Sequence, residues 1–154
     1  MSDAKTPDLS TLLASGVDVV ALLNGHRGPF DKTIGLVFTR VAEDELEAEV
    51  PVTEALLQPY GLVHGGVHAG VVETACSIGG GVHAAANGQA VVGVENHTSF
   101  LRGVRGGRLR ATARPVQLGR RAQLWQTDIV DEQGRLVATG RVRLFTVDPG
   151  NPGG

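Results

Sequence analysis

The chain has 154 residues, enough for one compact domain with its own hydrophobic core and too few for two ordinary domains. Its composition, 42% hydrophobic and 19% charged, is that of a globular protein and excludes a chain that is disordered throughout. The formal net charge of −2 excludes a general basic surface for nucleic acid or an anionic membrane, so an anionic ligand has to be bound by a local cluster of cations.

The two ends of the chain carry no apolar periodicity. Residues 1–9 are polar and residues 148–154 are rich in Gly and Pro, so we expect both to be flexible around a single domain over residues 10–147. The N-terminal residues lack the charged segment and apolar run of a secretory signal, and the single cysteine, Cys76, cannot form an internal disulfide. No apolar run reaches the roughly 18–20 residues that cross a bilayer, and we expect a cytoplasmic protein that does not bind membranes.

The first predicted element is a helix over residues 9–23. Its apolar residues recur near helical spacing; they are Leu12, Leu13, Val17, Val20 and Leu23. Ser10 is a candidate N-cap, and Asn24-Gly25 is a candidate end. The following residues 25–32, GHRGPFDK, are typical of a turn-rich connector.

Six runs of strand length follow, most with partial alternation and β-branched residues. They cover residues 33–41, 45–52, 89–101, 108–116, 123–130 and 135–147. Residues 131–134 predict a hairpin turn between the last two strands, and residues 105–107 predict another between the third and fourth. Consecutive hairpins indicate an antiparallel sheet, whereas a nucleotide-binding fold alternates strands and helices throughout.

One long helix, over residues 67–85, interrupts the strands and carries a single carboxylate, Glu73. The positions within about 60° of Glu73 on a helical wheel are all small: Gly66, Ala69, Gly70, Cys76, Ser77, Gly80 and Ala84. The opposite side is an apolar stripe suited to packing on a sheet: Val67, Val71, Ala75, Ile78 and Val82.

Two interpretations of Glu73 follow from this pattern. In the structural one, the acid lies at a solvent-facing edge or pairs with an arginine, and the glycines allow a second helix of a dimer to approach. In the functional one, the small residues leave space for a substrate beside a carboxylate. We favour the second, because a surface acid needs no small neighbours and an unpaired buried carboxylate costs several kcal/mol.

The start of this helix is a second candidate site element. Gly65-Gly66 leaves backbone N–H groups unobstructed at the positive end of the helix dipole, where they can stabilise an oxyanion. His64 and Gln58 lie close enough in sequence to orient or polarise a group at the same place. The simpler interpretation of the glycine pair is a turn.

The run Gln58-Pro59-Tyr60-Gly61-Leu62-Val63-His64-Gly65-Gly66, followed by Glu73, resembles the hotdog-fold acyl-CoA thioesterases. The likeness is greatest to the Arthrobacter-type 4-hydroxybenzoyl-CoA thioesterase and its phenylacetate-pathway relatives. It continues through Asn96-His97-Thr98-Ser99-Phe100 and covers roughly residues 30–147. The resemblance implies an α+β hotdog fold, in which an antiparallel sheet of five to six strands wraps around a long central helix.

The resemblance also implies roles for individual residues. Glu73 would attack the thioester carbonyl or activate water, the Gly65 amide would stabilise the thioester oxygen, and Gln58 and His64 would position the reacting groups. Ser77 stands where such relatives carry a threonine and could align Glu73 or a water. The chain departs from the common Phe-x-Arg-Pro pattern, since Gly103 follows Arg102.

A nucleotide-carrying substrate requires cations, and residues 102–121 hold seven arginines without an intervening acid: Arg102, Arg105, Arg108, Arg110, Arg114, Arg120 and Arg121. Arg108, Arg110 and Arg114 keep strand alternation and indicate a solvated face. Arg102, Arg120 and Arg121 fall at strand ends or turns, where a guanidinium can bind phosphate, and with Gly66 they are the candidate CoA-binding residues. Nucleic-acid binding is disfavoured, because few aromatic residues lie among the arginines.

Two other constellations are weaker. His64 and His68 stand four apart with Glu73 beyond, but the acid does not lie between the histidines as in a zinc H-E-x-x-H motif. Cys76 with a distant histidine could form a nucleophile pair, although a lone cysteine in an apolar helix is more often a packing residue.

These features predict an enzyme that hydrolyses an aromatic or medium acyl-CoA to the free acid and CoA. We expect no metal and no cofactor beyond the CoA of the substrate, and by resemblance a homodimer or homotetramer with shared active sites. The alternatives are an acyl-CoA-binding module without turnover and a hotdog hydratase or dehydratase.

Overall fold

The computed structural model describes residues 15–150, and these residues form one antiparallel sheet with helices on it. The six strands are β1 (Val37–Val41), β2 (Leu46–Pro51), β3 (Ala90–Phe100), β4 (Arg108–Leu118), β5 (Ala122–Val130) and β6 (Leu136–Val147). They are ordered β1-β2-β4-β5-β6-β3, and every neighbouring pair is antiparallel. The predicted α+β hotdog architecture, a sheet of this kind around a long helix, is confirmed.

Strand connections agree with the prediction at one turn and differ at the other. Residues 131–134 form the predicted hairpin between β5 and β6, closed by a hydrogen bond from the Asp131 N–H to the Arg135 carbonyl. The hairpin predicted at residues 105–107 is wrong, because β3 pairs with β6 while β4 lies between β2 and β5. The segment between β3 and β4 instead crosses the end of the sheet, where the Val104 side chain is buried and its carbonyl accepts the Val63 N–H.

Before β1, the described residues contain two short helices, α1 (Val19–Gly25) and α2 (Pro29–Ile34). Helix α1 begins at Val19, where the Asp18 side chain caps its start by accepting the Ala21 N–H, so residues 15–18 of the predicted helix lie outside it; the predicted cap at Ser10 lies outside the described residues. Helix α2 begins within the predicted connector, at Pro29, and ends at Ile34, just before Gly35. Proline at a first helical position and a left-handed glycine just after the last one explain these limits.

The long helix α3 (Gly65–Ala85) lies across the sheet and contacts β3, β4, β5 and β6. The predicted apolar stripe is only partly correct. Val71 and Ala75 are fully buried, but the buried face is turned toward Val72, Cys76 and Gly79, and Val67 and Ile78 are partly exposed.

Glycines set this orientation of the helix. A Cβ on Gly79 would lie 2.7 Å from Cζ3 of Trp125, and a Cβ on Gly80 would collide with Leu144. Because Trp125 and Leu144 are fully buried in the sheet, the helix can lie this close only where it has no side chain. Two of the helix glycines therefore serve helix–sheet packing and not the space around Glu73.

Candidate functional site

Glu73 lies two turns into α3, half-buried, between the helix and strand β3. Its Oε2 accepts a hydrogen bond of 2.8 Å from Asn96 Nδ2, and its Oε1 accepts one of 3.3 Å from Ser77 Oγ. Among the described residues no ion pair involves this carboxylate. Glu73 is therefore held in place by neutral donors, and the arginine partner of the structural interpretation is not found.

Strand β3 leaves room for the carboxylate at Gly93. A Cβ at this position would collide with Oε1 of Glu73. A side chain at residue 93 would thus displace the acid. Our sequence reasoning missed Gly93, although an isolated glycine inside a strand is itself a signal of a close approach.

Asn96, also on β3, belongs to the run of residues 96–100 that carries the family resemblance; sequence reasoning missed its contact with the acid, which the structure shows. Its Nδ2 group donates to Glu73 and to the Ala69 carbonyl, the latter at 3.1 Å. Its Oδ1 accepts a hydrogen bond of 2.7 Å from Thr98 Oγ1, which fixes the orientation of the amide. Strand alternation puts residues 96 and 98 on one face, so this chain of contacts follows from the register of β3.

The start of α3 borders a cavity of about 310 Å³ that brings together three of the predicted site residues, Gln58, Gly65 and Arg102. The Gly65 N–H has no acceptor among the described residues. The Oε1 atom of Gln58 accepts the Tyr60 N–H, which leaves the side-chain NH₂ group of Gln58 without a partner on that segment. Two sets of unused N–H donors therefore border one cavity.

His64 and Gly66 lie on the other side of the helix start. The Nδ1 atom of His64 accepts a hydrogen bond of 2.9 Å from the Gly66 N–H and so caps the helix. Both residues line a separate cavity of about 280 Å³ with Phe30 and Val67. The His64 side chain thus caps the helix, and it does not line the cavity that contains Gln58 and Gly65.

Within one chain, Glu73 and the Gly65 N–H are too far apart to act on the same carbonyl. They are eight positions apart on a continuous helix, which corresponds to about 12 Å along the axis. A nucleophile and an oxyanion donor must both lie about 3 Å from the reacting group. One chain alone does not assemble the predicted site.

The three predicted CoA-binding arginines are also separated. Arg102 lies at the start of α3, whereas Arg120 lines a cavity of about 360 Å³ with His83 and Ala84 at the other end. The helix rise puts these two ends roughly 25–30 Å apart. Arg121 neighbours Arg120 in the β4–β5 turn, where its carbonyl accepts the Thr146 N–H. The predicted solvated face is consistent with ion pairs from Arg108 to Glu49 and from Arg114 to Glu45.

Comparison with known proteins identifies the family. The model of the thioesterase superfamily matches residues 60–138. The proofreading thioesterase EntH of Cronobacter sakazakii is 42% identical over 115 residues, which cover 75% of this chain and 83% of the relative. The chain belongs to the thioesterase superfamily. It is a thioester hydrolase, as the resemblance implied.

Solved structures agree with this assignment to the thioesterases. The thioesterase HI1161 from Haemophilus influenzae superposes with a TM-score of 0.77 at 32% identity, covering 94% of this chain and 93% of that one. The PaaI protein from the phenylacetic acid degradation operon of E. coli superposes with a TM-score of 0.74 at 24% identity, covering 84% of this chain and 94% of that one. The second likeness shows the shared fold.

The alternative nucleophile of this thioesterase, Cys76, is not suited to that role. It is fully buried, and its Sγ lies 3.1 Å from Thr127 Oγ1. Burial raises the pKa of the Cys76 thiol to about 12, with the nearby Glu73 charge acting in the same direction. The reactive thiolate form is therefore scarce at neutral pH, and Cys76 is a packing residue.

The zinc interpretation is not supported either. His64 and His68 line different cavities, and within residues 15–150 no three His, Cys, Asp or Glu side chains converge as a metal site would require. Over the same residues, no helix is long and apolar enough to cross a membrane.

Proposed function

We propose that the protein hydrolyses an aromatic acyl-CoA, benzoyl- or phenylacetyl-like, or a medium-chain acyl-CoA, to the free acid and CoA. The observation that supports this proposal is the half-buried carboxylate of Glu73, whose hydrogen-bond donors among residues 15–150 are the neutral side chains of Asn96 and Ser77. A carboxylate that is not neutralised by a cation keeps the electron density that a nucleophile or general base needs.

The active site is proposed to form between two chains. Strand β3 is an edge strand of eleven residues, paired only with β6, and exposed apolar side chains lie along it, including Val94 at 47% and Phe100 at 58% exposure. A long exposed edge is a template for pairing with a second strand. Antiparallel pairing of β3 with its own copy gives a dimer with a two-fold axis, on which a homotetramer can be built.

This dimer solves the distance problem between the acid and the oxyanion donor. Asn96 of β3 contacts α3 at Ala69 and Glu73. A two-fold axis at the level of Ala69 places Glu73, four residues after it, opposite Gly65 of the partner subunit, four residues before it. The helix positions thus favour a site made of Glu73 from one chain and the Gly65 amide and Gln58 from the other.

In the proposed reaction, the thioester oxygen accepts the Gly65 N–H and gains negative charge as the carbonyl carbon is attacked. Either Glu73 attacks and forms an anhydride that water then hydrolyses, or Glu73 takes a proton from a water that attacks. In both routes the carbon–sulfur bond breaks, the thiolate of CoA leaves, and the proton from water ends on the products. Because a thiolate is a good leaving group, the route needs no metal, cofactor or strong general acid.

Other residues have supporting roles in this proposal. Ser77 holds the Glu73 carboxylate, Gln58 donates beside the Gly65 N–H, and His64 keeps the helix start in place by capping Gly66. Arg120 and Arg121 are proposed to bind phosphates of CoA, and Arg102 of the other chain is proposed to bind the same substrate nearer to its thioester. We further propose a cytoplasmic location, where acyl-CoA is available.

The test is release of thiol from a panel of benzoyl-, phenylacetyl- and straight-chain acyl-CoAs, measured with a colorimetric thiol reagent. Glu73→Gln is expected to lower kcat by about 10²–10⁴-fold, the usual contribution of a general base or more, while the thermal unfolding midpoint stays close to that of the native chain. Glu43→Gln, on the exposed β1–β2 turn, is the matched control and should retain activity.

Full activity of Glu73→Gln would eliminate the proposed mechanism, and acyl-CoA binding without thiol release would contradict the proposed hydrolysis and favour the acyl-CoA-binding module. Isotope from labelled water recovered in the Glu73 carboxyl group after a single turnover would identify the anhydride route.

A further inference from the structure

We propose that His68 determines acyl-group specificity, by hydrogen-bonding a hydroxyl or carbonyl substituent of the acyl group in the cavity at the start of α3. This inference rests on the proposed function, since it assigns the acyl group to the cavity that contains Gln58 and the Gly65 N–H.

His68 is a buried polar side chain without a partner. It is 3% exposed, and its Nδ1 atom is sealed from solvent with no hydrogen bond. Neither ring nitrogen takes part in a hydrogen bond among the described residues, although one of them must carry a proton. Because Nδ1 is sealed from the cavity as well as from solvent, Nε2 is the ring nitrogen that a ligand in the cavity can reach, and a polar group of the ligand would give it the partner that buried polar groups in native proteins normally have.

The cavity has the size and walls of an acyl pocket. It measures about 310 Å³, and apolar side chains of Leu62, Val63 and Leu101 form much of its lining. The Phe100 ring lies 6.0 Å from the His68 ring, centroid to centroid, at an angle of 34°. The apolar side chains can contact an aromatic or aliphatic acyl group, and the imidazole adds a polar group to that part of the wall.

The position of His68 on the helix matches the position of a ring substituent. His68 follows Gly65 by three residues, so both lie on the same face, about 4.5 Å apart along the axis. An acyl carbonyl bound to the Gly65 N–H therefore puts the ring attached to it within reach of His68.

The protonation state of His68 selects the type of substituent. Burial lowers the pKa of His68, so the ring is neutral at physiological pH. A neutral imidazole has one donor and one acceptor nitrogen and can pair with a hydroxyl in either tautomer. Substrates without such a group leave the imidazole unsatisfied, which is the condition under which a site discriminates between analogues.

The experiment compares kcat/KM for benzoyl-CoA with that for 2-, 3- and 4-hydroxybenzoyl-CoA. The native enzyme is expected to prefer at least one hydroxylated isomer by about tenfold, the worth of one hydrogen bond to a buried group. His68→Phe keeps a ring against Phe100 but has no nitrogen. It should lose the preference, because kcat/KM falls more for the hydroxylated substrate than for benzoyl-CoA.

Two further variants keep the test decisive. His68→Gln retains a donor and an acceptor near the position of Nε2, and it should recover part of the preference even if His68→Phe does not fold. His26→Phe, at the exposed end of α1, is the matched control and should keep the native preference.

An equal fall in kcat/KM for all four substrates would overturn the inference, because it would indicate a structural role or a contact to the CoA part. Equal activity of the native enzyme on all four would overturn it as well while leaving the proposed function standing. Absence of thiol release from every substrate would overturn both.

Discussion

Asn96 connects the candidate acid to the sheet, and its removal should impair catalysis more than folding. Asn96→Ala removes the donor to Glu73 Oε2 and to the Ala69 carbonyl. We expect kcat to fall about 10- to 100-fold, since a small displacement of a reacting group has effects of this size. The loss of stability should be about 1 kcal/mol, the net worth of a hydrogen bond.

Steady-state kinetics and urea unfolding of the same variant separate these two effects. His97→Ala is the control, because His97 follows on β3 but faces the opposite side of the sheet with Gln126 and Arg141. A variant at Asn96 with unchanged kcat would show that Ser77 alone suffices to place the acid.

The sequence predicted the contacts of Glu73 within its own helix, but not its contacts with residues of strand β3. Glu73 and Ser77 share a helix face by the 3.6-residue period alone, and their contact is observed. Gly93 and Asn96 reach Glu73 from β3, and only the alignment of that strand against α3 decides which of its residues face the acid. His68 was considered only as a metal ligand, because burial without a partner cannot be detected from sequence.

Among elements, α3 offers a direct test of why its glycines are needed. Gly79→Ala would put a Cβ 2.7 Å from the Trp125 ring, whereas a Cβ on Gly81 meets only Val91 at 3.8 Å. We expect Gly79→Ala to destabilise the fold by about 1–3 kcal/mol through overpacking. Gly81→Ala should stabilise it by up to about 1 kcal/mol through better helix propensity.

Urea unfolding of the two variants, followed by circular dichroism, measures this difference. Each adds one methyl group to the same helix, so the comparison isolates the effect of the contact surface. Equal stability changes would mean that the helix can shift away from Trp125 without cost.

The elements themselves were largely predictable, and the exceptions have physical reasons. All six strands were predicted because β-branched and alternating residues dominate them. Helix α2 was missed, because six residues that begin with Pro29 are too few to show helical periodicity. The turn at residues 105–107 was interpreted as a hairpin, because glycine-rich turns have the same sequence whether the strands that they join are neighbours or not.

For the whole molecule, the proposed shared active site predicts that two variants, each impaired alone, restore activity when they are combined. Glu73→Gln and Gln58→Ala lie on opposite sides of the proposed composite site. In a mixed dimer one site carries both substitutions and the other carries neither. Mixing after unfolding and refolding should therefore recover about a quarter of native activity, since half of the dimers are mixed and each has one intact site.

The measurement is thiol release from the co-refolded mixture, compared with each variant refolded alone. Glu73→Gln mixed with Glu43→Gln serves as the reference for simple dilution. Recovery no greater than the sum of the separate variants would show that each site is built from one chain.

The strand order also constrains how this protein can be made in a cell. Strand β3 leaves the ribosome before β4, β5 and β6, but its only neighbour in the sheet is β6, the last of them. Until β6 has been synthesised, β3 has no partner strand. The sheet on which α3 packs is also incomplete until then. Premature stop codons near the 3′ end of the coding sequence, which remove β6, should therefore yield insoluble or rapidly degraded chains.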